Sequence, residues 1–104
     1  MKQYDLYENT DSDSKSTYPF FVDIQTDLLD ALGSRVVIPL INARPDRNLP
    51  NNICPQIELN GENYYLLTHQ ITTVASSFLK QKSGSLLLSR TEIINSLDFL
   101  VSRI

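Results

Sequence analysis

The segment QIELNGENYYLL, residues 56–67, constrains the fold of this chain more than any other stretch. Two runs of alternating apolar residues flank Asn60 and Gly61, a pair that accepts positive φ at both central positions of a type I′ turn. Because such a turn matches the twist of two antiparallel strands, the segment predicts a β-hairpin.

Three other segments have the composition of strands, namely QYDLY (3–7), FFVDIQ (20–25) and RVVIPL (35–40). The first two alternate in polarity, which predicts half-buried strands, with Tyr4 and Leu6 on one face of the first. The third is a nearly continuous apolar run. Its Pro39 has no N–H to donate, so we expect this strand to lie at a sheet edge or to end there.

Two polar segments are predicted to connect strands. Residues 8–17, ENTDSDSKST, have few apolar residues and no periodicity, which predicts a mobile loop or a wide hairpin connection. Residues 43–52, ARPDRNLPNN, contain two prolines and three asparagines, which predict a long surface loop. Loops of this length in compact domains are often functional.

The last quarter of the chain changes to a helical period. The sequence SRTE, Ser89–Glu92, has the spacing of a capping box, in which Ser89 accepts from a first-turn amide and Glu92 reaches back to the Ser89 N–H. The apolar residues that follow recur along one stripe: Ile93, Leu97, Leu100 and Val101, with Ile94 beside it. We therefore expect a helix that lays this stripe on the sheet.

The order of these elements predicts the fold class. Several short antiparallel strands closed by one C-terminal helix give a mainly β fold, a small twisted sheet or barrel with a helix appended. A chain of 104 residues with 41% apolar residues needs only one domain, which we place at residues 1–104.

Composition excludes several functional classes. No apolar stretch approaches the ~20 residues of a membrane span and no leader peptide opens the sequence, so we expect a cytoplasmic protein without a membrane partner. Cys54 is the only cysteine, which rules out an intrachain disulfide and a four-thiolate zinc site, and we expect it to be a half-buried hydrophobe. The net charge of −3 lacks the basic footprint of a nucleic-acid binder and favours a protein partner.

Four segments in this order resemble the CcdB family of bacterial toxins: FFVDIQTDLLD (20–30), RVVIPL (35–40), YYLLTHQITTV (64–74) and SLDFL (96–100), followed by Ile104. The resemblance implies an SH3-like antiparallel barrel, shared with the MazF and Kid toxins, with a C-terminal α-helix. It also implies a homodimer that poisons DNA gyrase by binding its A subunit and trapping the cleaved DNA complex. A CcdA-like antitoxin is the implied neutraliser, and DNA is contacted only indirectly, through gyrase or the antitoxin.

The resemblance places the gyrase contact first at the end of the chain. In the family the C-terminal helices of two protomers lie side by side and present the last three residues to gyrase, which implies this role for Ser102, Arg103 and Ile104. A contact near a twofold axis engages both copies of a symmetric target at once. Asp98 corresponds to a polar residue of the family one turn before this tail.

Leu28 and Leu29 correspond to an adjacent pair of exposed branched aliphatic residues that the family uses against the same target. The alternative for both is core packing, although two adjacent apolar residues in a strand cannot both face one core.

The tail departs from the family pattern at two positions. Gyrase poisons of the family commonly end in an aromatic residue, a glycine and an isoleucine, whereas this chain has Ser102, Arg103 and Ile104. Loss of the aromatic residue removes a large interface anchor, while Arg103 adds a bulky cation that can itself be an anchor. Three outcomes stay open: an altered gyrase contact, a changed target, or a domain that keeps the fold and no longer poisons gyrase.

Endoribonuclease activity is the alternative function, because MazF and Kid share the fold and cleave RNA. That chemistry needs a general acid and a base beside a cationic groove. His69 is the only histidine, and we expect it to be a hydrogen-bonding residue at a strand end. The candidate groove cations are Arg35, Arg44 and Arg47, and the carboxylates close to them that would repel phosphate are Asp23, Asp27 and Asp30.

These three carboxylates lack a recognised metal-ligand spacing and are expected on a solvated face. No phosphate-binding loop or nucleophile elbow is present, so we predict no catalysis, no metal and no cofactor.

The antitoxin surface follows from the two loops. A disordered antitoxin segment binds by covering a large surface, and loops 8–17 and 43–52 flank the strands that such a segment would cover. A CcdB homologue that binds its antitoxin without being toxic is a further alternative.

Overall fold

The computed structural model describes residues 2–102, except the side chain of Asp30. Its seven strands are β1 (Asp5–Glu8), β2 (Phe20–Asp23), β3 (Ser34–Asn42), β4 (Gln56–Leu59), β5 (Glu62–Leu66), β6 (Thr72–Ala75) and β7 (Lys82–Ser85). Short 3-10 segments span Asp27–Leu32, Thr68–Gln70, Ser76–Phe78 and Leu87–Ser89, and one helix, α1, spans Arg90–Ser102. The predicted mainly β fold with a C-terminal helix is confirmed.

All strand pairs are antiparallel, and the strands form one curled sheet in the order β4-β5-β3-β2-β1-β7, while β6 pairs with β3 outside this path. The curl makes a half-barrel. Pairing of β1 with β7 brings the beginning of the described chain beside the strand that precedes the helix.

The predicted hairpin is confirmed. β4 and β5 pair from Gln56↔Tyr65 to Leu59↔Glu62, and the two residues between them have φ of 53° at Asn60 and 84° at Gly61. These positive values explain the choice of residues, since asparagine and glycine tolerate left-handed backbone better than other residues.

Pro39 lies within a central strand, so the expectation of an edge strand or a strand end was wrong. β3 pairs with β2 through residues 37–40 on one side, while on the other side it pairs with β6 through residues 34–37 and with β5 through residues 40–42. The carbonyl of Pro39 accepts from the N–H of Leu67 at 2.9 Å. The missing donor therefore falls where one neighbour ends and the next begins, so the ladder loses little.

Apolar side chains are buried on both faces of the sheet. The larger core consists of Tyr4, Leu6, Val22, Ile38, Leu40, Ile57, Tyr64, Leu66, Leu86 and Ile93. A second core consists of Tyr7 and Val37, which lie on β1 and β3, and of Leu79, which follows the 3-10 segment Ser76–Phe78, and Phe21 and Phe78 pack against it. The predicted alternation of β1 and β2 is thus present, but these strands are covered on both faces rather than half-buried, because later segments pack over the second face.

The helix begins at Arg90, directly after the 3-10 turn Leu87–Ser89, close to the predicted start. Ile93 is fully buried in the larger core and Leu97 packs against it. Buried Ser96 donates to the Ile93 carbonyl at 2.9 Å, which leaves the hydroxyl of Thr68 to donate to Ser96 Oγ at 2.8 Å. Val101 does not belong to the buried stripe, since 72% of it is exposed.

Candidate functional site

Leu28 and Leu29 lie in the 3-10 segment Asp27–Leu32, called here the leucine segment, and not in a strand. Leu28 is 92% exposed and Leu29 is 44% exposed, so the core-packing alternative is wrong. Leu32, four residues after Leu28, is also exposed. Clustered exposed leucines are unfavourable in water and mark a surface for a protein partner.

The leucine segment is capped at both ends, by the side chain of Thr26 and by Gly33. The Thr26 side chain accepts from the N–H of Leu28, and Gly33 ends the segment with a φ of 73°. Glycine is suited to this left-handed position because it has no Cβ. The sequence therefore dictates a short protrusion between β2 and β3.

Gln25 is a buried amide that joins the leucine segment to the sheet. Its Nε2 donates to the carbonyl of Leu29 at 3.2 Å and to the carbonyl of Ser34 at 3.0 Å, while its Oε1 accepts from the N–H of Val36 at 3.1 Å. One side chain thus holds the middle of the protrusion against the start of β3.

Arg35 lies beneath Gln25 and is 1% exposed. Its Nε donates to Oδ2 of Asp23 at 2.8 Å, and its Nη2 donates to the Gln25 carbonyl at 3.1 Å and lies 3.7 Å from Oδ1 of Asp27. Oδ1 of Asp27 also accepts from the N–H of Gln3 at 2.9 Å. The leucine segment is therefore tied to the sheet by the buried side chains of Arg35 and Gln25, and by Asp27, whose side chain is 53% exposed.

The arrangement corrects two expectations. Arg35 cannot line an open cationic groove, because it is buried and paired with a carboxylate. Asp23 is fully buried rather than on a solvated face. Burial raises the pKa of Asp23 above its ordinary value, although the hydrogen bond from Arg35 opposes that rise.

The other described site residues lie on the outer face of α1. Asp98 and Ser102 are exposed and four residues apart, so they lie on one side of the helix. Ile94 and Val101 flank Asp98 on this face and are exposed as well. Arg103 and Ile104 lie outside the described residues.

The site residues thus form two groups, one on the leucine segment and one on α1. Both elements are connected to the larger core. Ile24 packs against this core shortly before the leucine segment begins, and Leu97 packs against it on α1, next to Asp98. Sequence reasoning missed Leu32 and the outward position of Ile94 and Val101. The sequence carried no periodic signal for Leu32, because the leucine segment is a 3-10 helix with a non-helical residue at Leu29 and not a regular α-helix.

Both predicted connections join neighbouring strands along the chain. Residues 9–19 form a wide hairpin connection between β1 and β2, held by Asn9, whose Nδ2 donates to Ser14 Oγ at 2.9 Å and to the Tyr18 carbonyl at 2.8 Å. Residues 43–55 form the long connection between β3 and β4.

Cys54 and His69 offer no reactive pair. Cys54 is fully buried rather than half-buried, and burial raises the pKa of its thiol, so the sulfur stays protonated. His69 follows the end of β5 in the turn Thr68–Gln70, with Nδ1 3.6 Å from Cys54 Sγ. Among residues 2–102, side chains of histidine, cysteine, aspartate and glutamate do not cluster in a group that could bind a metal ion.

The helices in the described part of the chain are too short and too polar to cross a bilayer. In a comparison with protein families, the family described as CcdB protein matches residues 3–102, nearly the whole chain.

Proposed function

This chain belongs to the CcdB family, the toxins of toxin-antitoxin modules, and from this membership we propose that it acts in the cytoplasm by binding the DNA gyrase A subunit and trapping the cleaved DNA complex. The proposed contact residues are Leu28, Leu29, Asp98, Ser102, Arg103 and Ile104. The chain acts as a single domain over residues 1–104, a proposal supported by the β1–β7 pairing.

The exposure of Leu28 is the observation that carries this proposal. A leucine that is 92% exposed costs free energy in the isolated protein, and this one stands on a protrusion fixed by buried Gln25 and Arg35. A rigid apolar residue loses little conformational entropy on binding. The combination suits an interface anchor better than a core residue.

The exposed apolar residues of α1 support a homodimer. Ile94 and Val101 lie on the same helix face as Asp98. Packing Ile94 and Val101 against the same two residues of a second protomer buries them and brings the two tails together, while Asp98 and Ser102 border this contact and stay accessible to gyrase. Gyrase then meets two copies of the tail, and the leucine segments extend the contact.

A CcdA-like antitoxin is the proposed neutraliser, and DNA is reached only through gyrase or the antitoxin. Endoribonuclease activity has little support, because Arg35 is buried in an ion pair with Asp23 and His69 is the only histidine of the sequence. No cofactor is assigned.

Two measurements test the proposal. Induced expression should stop growth of cells with wild-type gyrase and spare cells whose A subunit carries a CcdB-resistance change. Calorimetric titration of the A subunit should show binding by the wild-type chain. If the wild-type chain, the deletion of residues 102–104 and the double variant Ser102→Trp, Arg103→Gly all fail to bind, gyrase is rejected as the target.

The double variant distinguishes two roles for Arg103. If Arg103 blocks the contact, restoring an aromatic residue and a glycine should tighten binding by ~2 kcal/mol, about thirtyfold. If Arg103 is itself an anchor, the same variant should bind more weakly and with less dependence on salt. A chain that binds antitoxin but never arrests growth would be the non-toxic homologue.

A further inference from the structure

A cavity of about 320 Å³ lies where the β1–β2 connection meets the end of β3 and the β3–β4 connection. Its lining residues are Ser16, Thr17, Ile41, Asn42, Arg44 and Arg47. Neither the leucine segment nor α1 contributes to this lining, so the function proposed above gives the cavity no role. Its volume lies near the lower limit of pockets that hold small molecules, which is roughly 300 Å³.

One β-turn carries both arginines of the cavity. The N–H of Arg47 donates to the carbonyl of Arg44 at 2.9 Å, which closes a four-residue turn with Pro45 at its second position. Proline suits this position because its φ is fixed near the value that the turn requires. The hydroxyl of Tyr65, a buried residue of β5, donates to the carbonyl of Arg47 at 3.1 Å. The turn is therefore fixed to the sheet.

The side chain of Arg47 is held in place as well. Its Nη1 donates to the carbonyl of Asn42, the last residue of β3, at 2.6 Å. A guanidinium has five N–H donors, so most donors of Arg47 remain for a ligand. Arg44 is exposed at the rim. The ion pairs among residues 2–102 involve Arg35 and Lys82, so no described carboxylate neutralises either arginine of the cavity.

The end of the β1–β2 connection supplies the hydroxyl groups of the lining. The N–H of Thr17 donates to the carbonyl of Ser14 at 3.0 Å, and the N–H of Tyr18 donates to the same carbonyl at 2.8 Å. The carbonyl of Tyr18 accepts from Nδ2 of Asn9 at 2.8 Å. These bonds fix the backbone around Ser16 and Thr17, whose hydroxyl groups add one donor each.

The donor set of the cavity indicates the chemistry of its ligand. It offers two cationic guanidinium groups beside hydroxyl donors, and none of its lining residues is acidic. A phosphate monoester carries a charge of about −1.5 to −2 at pH 7 and has three oxygens that accept strong hydrogen bonds. Arginine binds such oxygens in pairs through its planar fork. A carboxylate has one charge and two oxygens, so it matches one arginine and not two.

We propose that this cavity binds a small phosphate monoester, with Arg44 and Arg47 binding the phosphate group and Ile41, the apolar residue of the lining, contacting the organic part. A nucleic acid suits the site less well, because a long polyanion is repelled by a chain with a net charge of −3. The proposal does not depend on gyrase binding, since none of the proposed gyrase contacts lines the cavity.

The test is an NMR titration of the ¹⁵N-labelled protein with phenyl phosphate. Benzoate is the matched probe, since it has the same ring and a carboxylate, and inorganic phosphate and an oligonucleotide without terminal phosphates are run in parallel. Phenyl phosphate should shift the amides of Ser16, Thr17, Asn42, Arg44 and Arg47. It should bind about tenfold more tightly than benzoate, because it engages a second arginine, and about tenfold more tightly than inorganic phosphate, because its ring buries apolar surface.

Arg44→Gln is the test variant, since its side chain is exposed and its replacement breaks no bond to a described residue. The matched control is Lys80→Gln, which removes an exposed cation outside the cavity. Arg44→Gln should weaken binding of phenyl phosphate about tenfold, and Lys80→Gln should leave it unchanged. Equal effects of the two variants would mean attraction by overall charge and would overturn the site.

The parallel probes decide the class of ligand. Benzoate that binds as tightly as phenyl phosphate would overturn the assignment of a phosphate group. Inorganic phosphate that binds as tightly would overturn the monoester in favour of an inorganic ion, and tighter binding of the oligonucleotide would overturn it in favour of a nucleic acid. Absence of shifts at the cavity amides with ~10 mM phenyl phosphate would reject the site altogether.

Discussion

Arg35 donates from its Nε to Oδ2 of Asp23 across 2.8 Å, and both side chains are buried at the base of the leucine segment. The pair lies across the β2–β3 ladder, where Asp23 faces Val37. Both partners of this ion pair are buried, whereas the pairs Arg35–Asp27 and Lys82–Asp5 each have one partner that is more than half exposed. Its main effect is to fix the leucine segment rather than to add net stability.

Arg35→Met should lower the free energy of unfolding by ~3–5 kcal/mol, because it leaves the Asp23 carboxylate buried without its cation. The double variant Arg35→Met, Asp23→Leu should be more stable than Arg35→Met alone by at least about 1 kcal/mol, because no buried charge is left without a partner. Urea unfolding measures both values. Arg44→Met is the matched control and should change stability by less than ~0.5 kcal/mol, since Arg44 is exposed.

Leu28→Ser should abolish binding to the gyrase A subunit and leave stability unchanged within ~0.5 kcal/mol, because Leu28 is 92% exposed. The matched control is Leu88→Ser, since Leu88 is 100% exposed in another 3-10 turn and lies outside the proposed contact. Calorimetric titration compares them. Equal loss of binding by both variants would indicate a general effect of surface hydrophobicity and not an anchor at Leu28.

Ile94→Lys should convert the homodimer to a monomer, because it places a charge on the exposed apolar face of α1 proposed as the dimer contact. Gln81→Lys adds the same charge at an exposed position outside α1 and should leave the dimer intact. Light scattering across a dilution series distinguishes these results. A wild-type chain with the mass of one protomer at every concentration contradicts the dimer.

Deletion of residues 102–104 should leave the fold intact and abolish binding to gyrase. Val101 is mostly exposed and Ser102 is exposed, so shortening the chain here opens no cavity within the described core. Circular dichroism and thermal unfolding check the fold, and calorimetry checks the binding. Strong binding by the deletion variant would remove the tail from the proposed contact.

The thiol of Cys54 should make stability depend on pH in the alkaline range. Burial raises its pKa from the ordinary value of 9.0, so above pH 9 the unfolded chain releases this proton while the folded chain keeps it. The stability of the wild type relative to Cys54→Ala should therefore be constant below pH 9 and fall above it, by at most ~1.4 kcal/mol per pH unit. Urea unfolding at pH 8 to 10 (~0.5-unit steps) gives the slope, and a constant or rising difference contradicts the raised pKa.

Local chemistry explains what the sequence could predict. The Asn60–Gly61 turn depends on two residues whose backbone preferences act within the hairpin, so it was predictable without the rest of the fold. The helix start near Arg90 was predictable for the same reason, because a change from strand to helical period is a local signal.

Features that depend on distant partners could not be predicted. Pro39 indicated an edge strand until the positions of β5 and β6 beside β3 were known. Arg35 was expected in a groove because the sequence does not show that the pairing of β2 with β3 brings Asp23 next to Arg35. The exposure of Leu28 came from resemblance, since periodicity alone is equally consistent with a buried strand.

The pairing of β1 with β7 has a consequence for how the protein is made. β1, the first of the described strands to be synthesised, finds this neighbour only when residues 82–85 have followed it. Closing so long a loop is entropically costly, and it must precede the contacts that reward it. A nascent chain therefore holds an incomplete sheet until β7 has been synthesised, and α1, which follows β7 in the chain, can cover the larger core only after that.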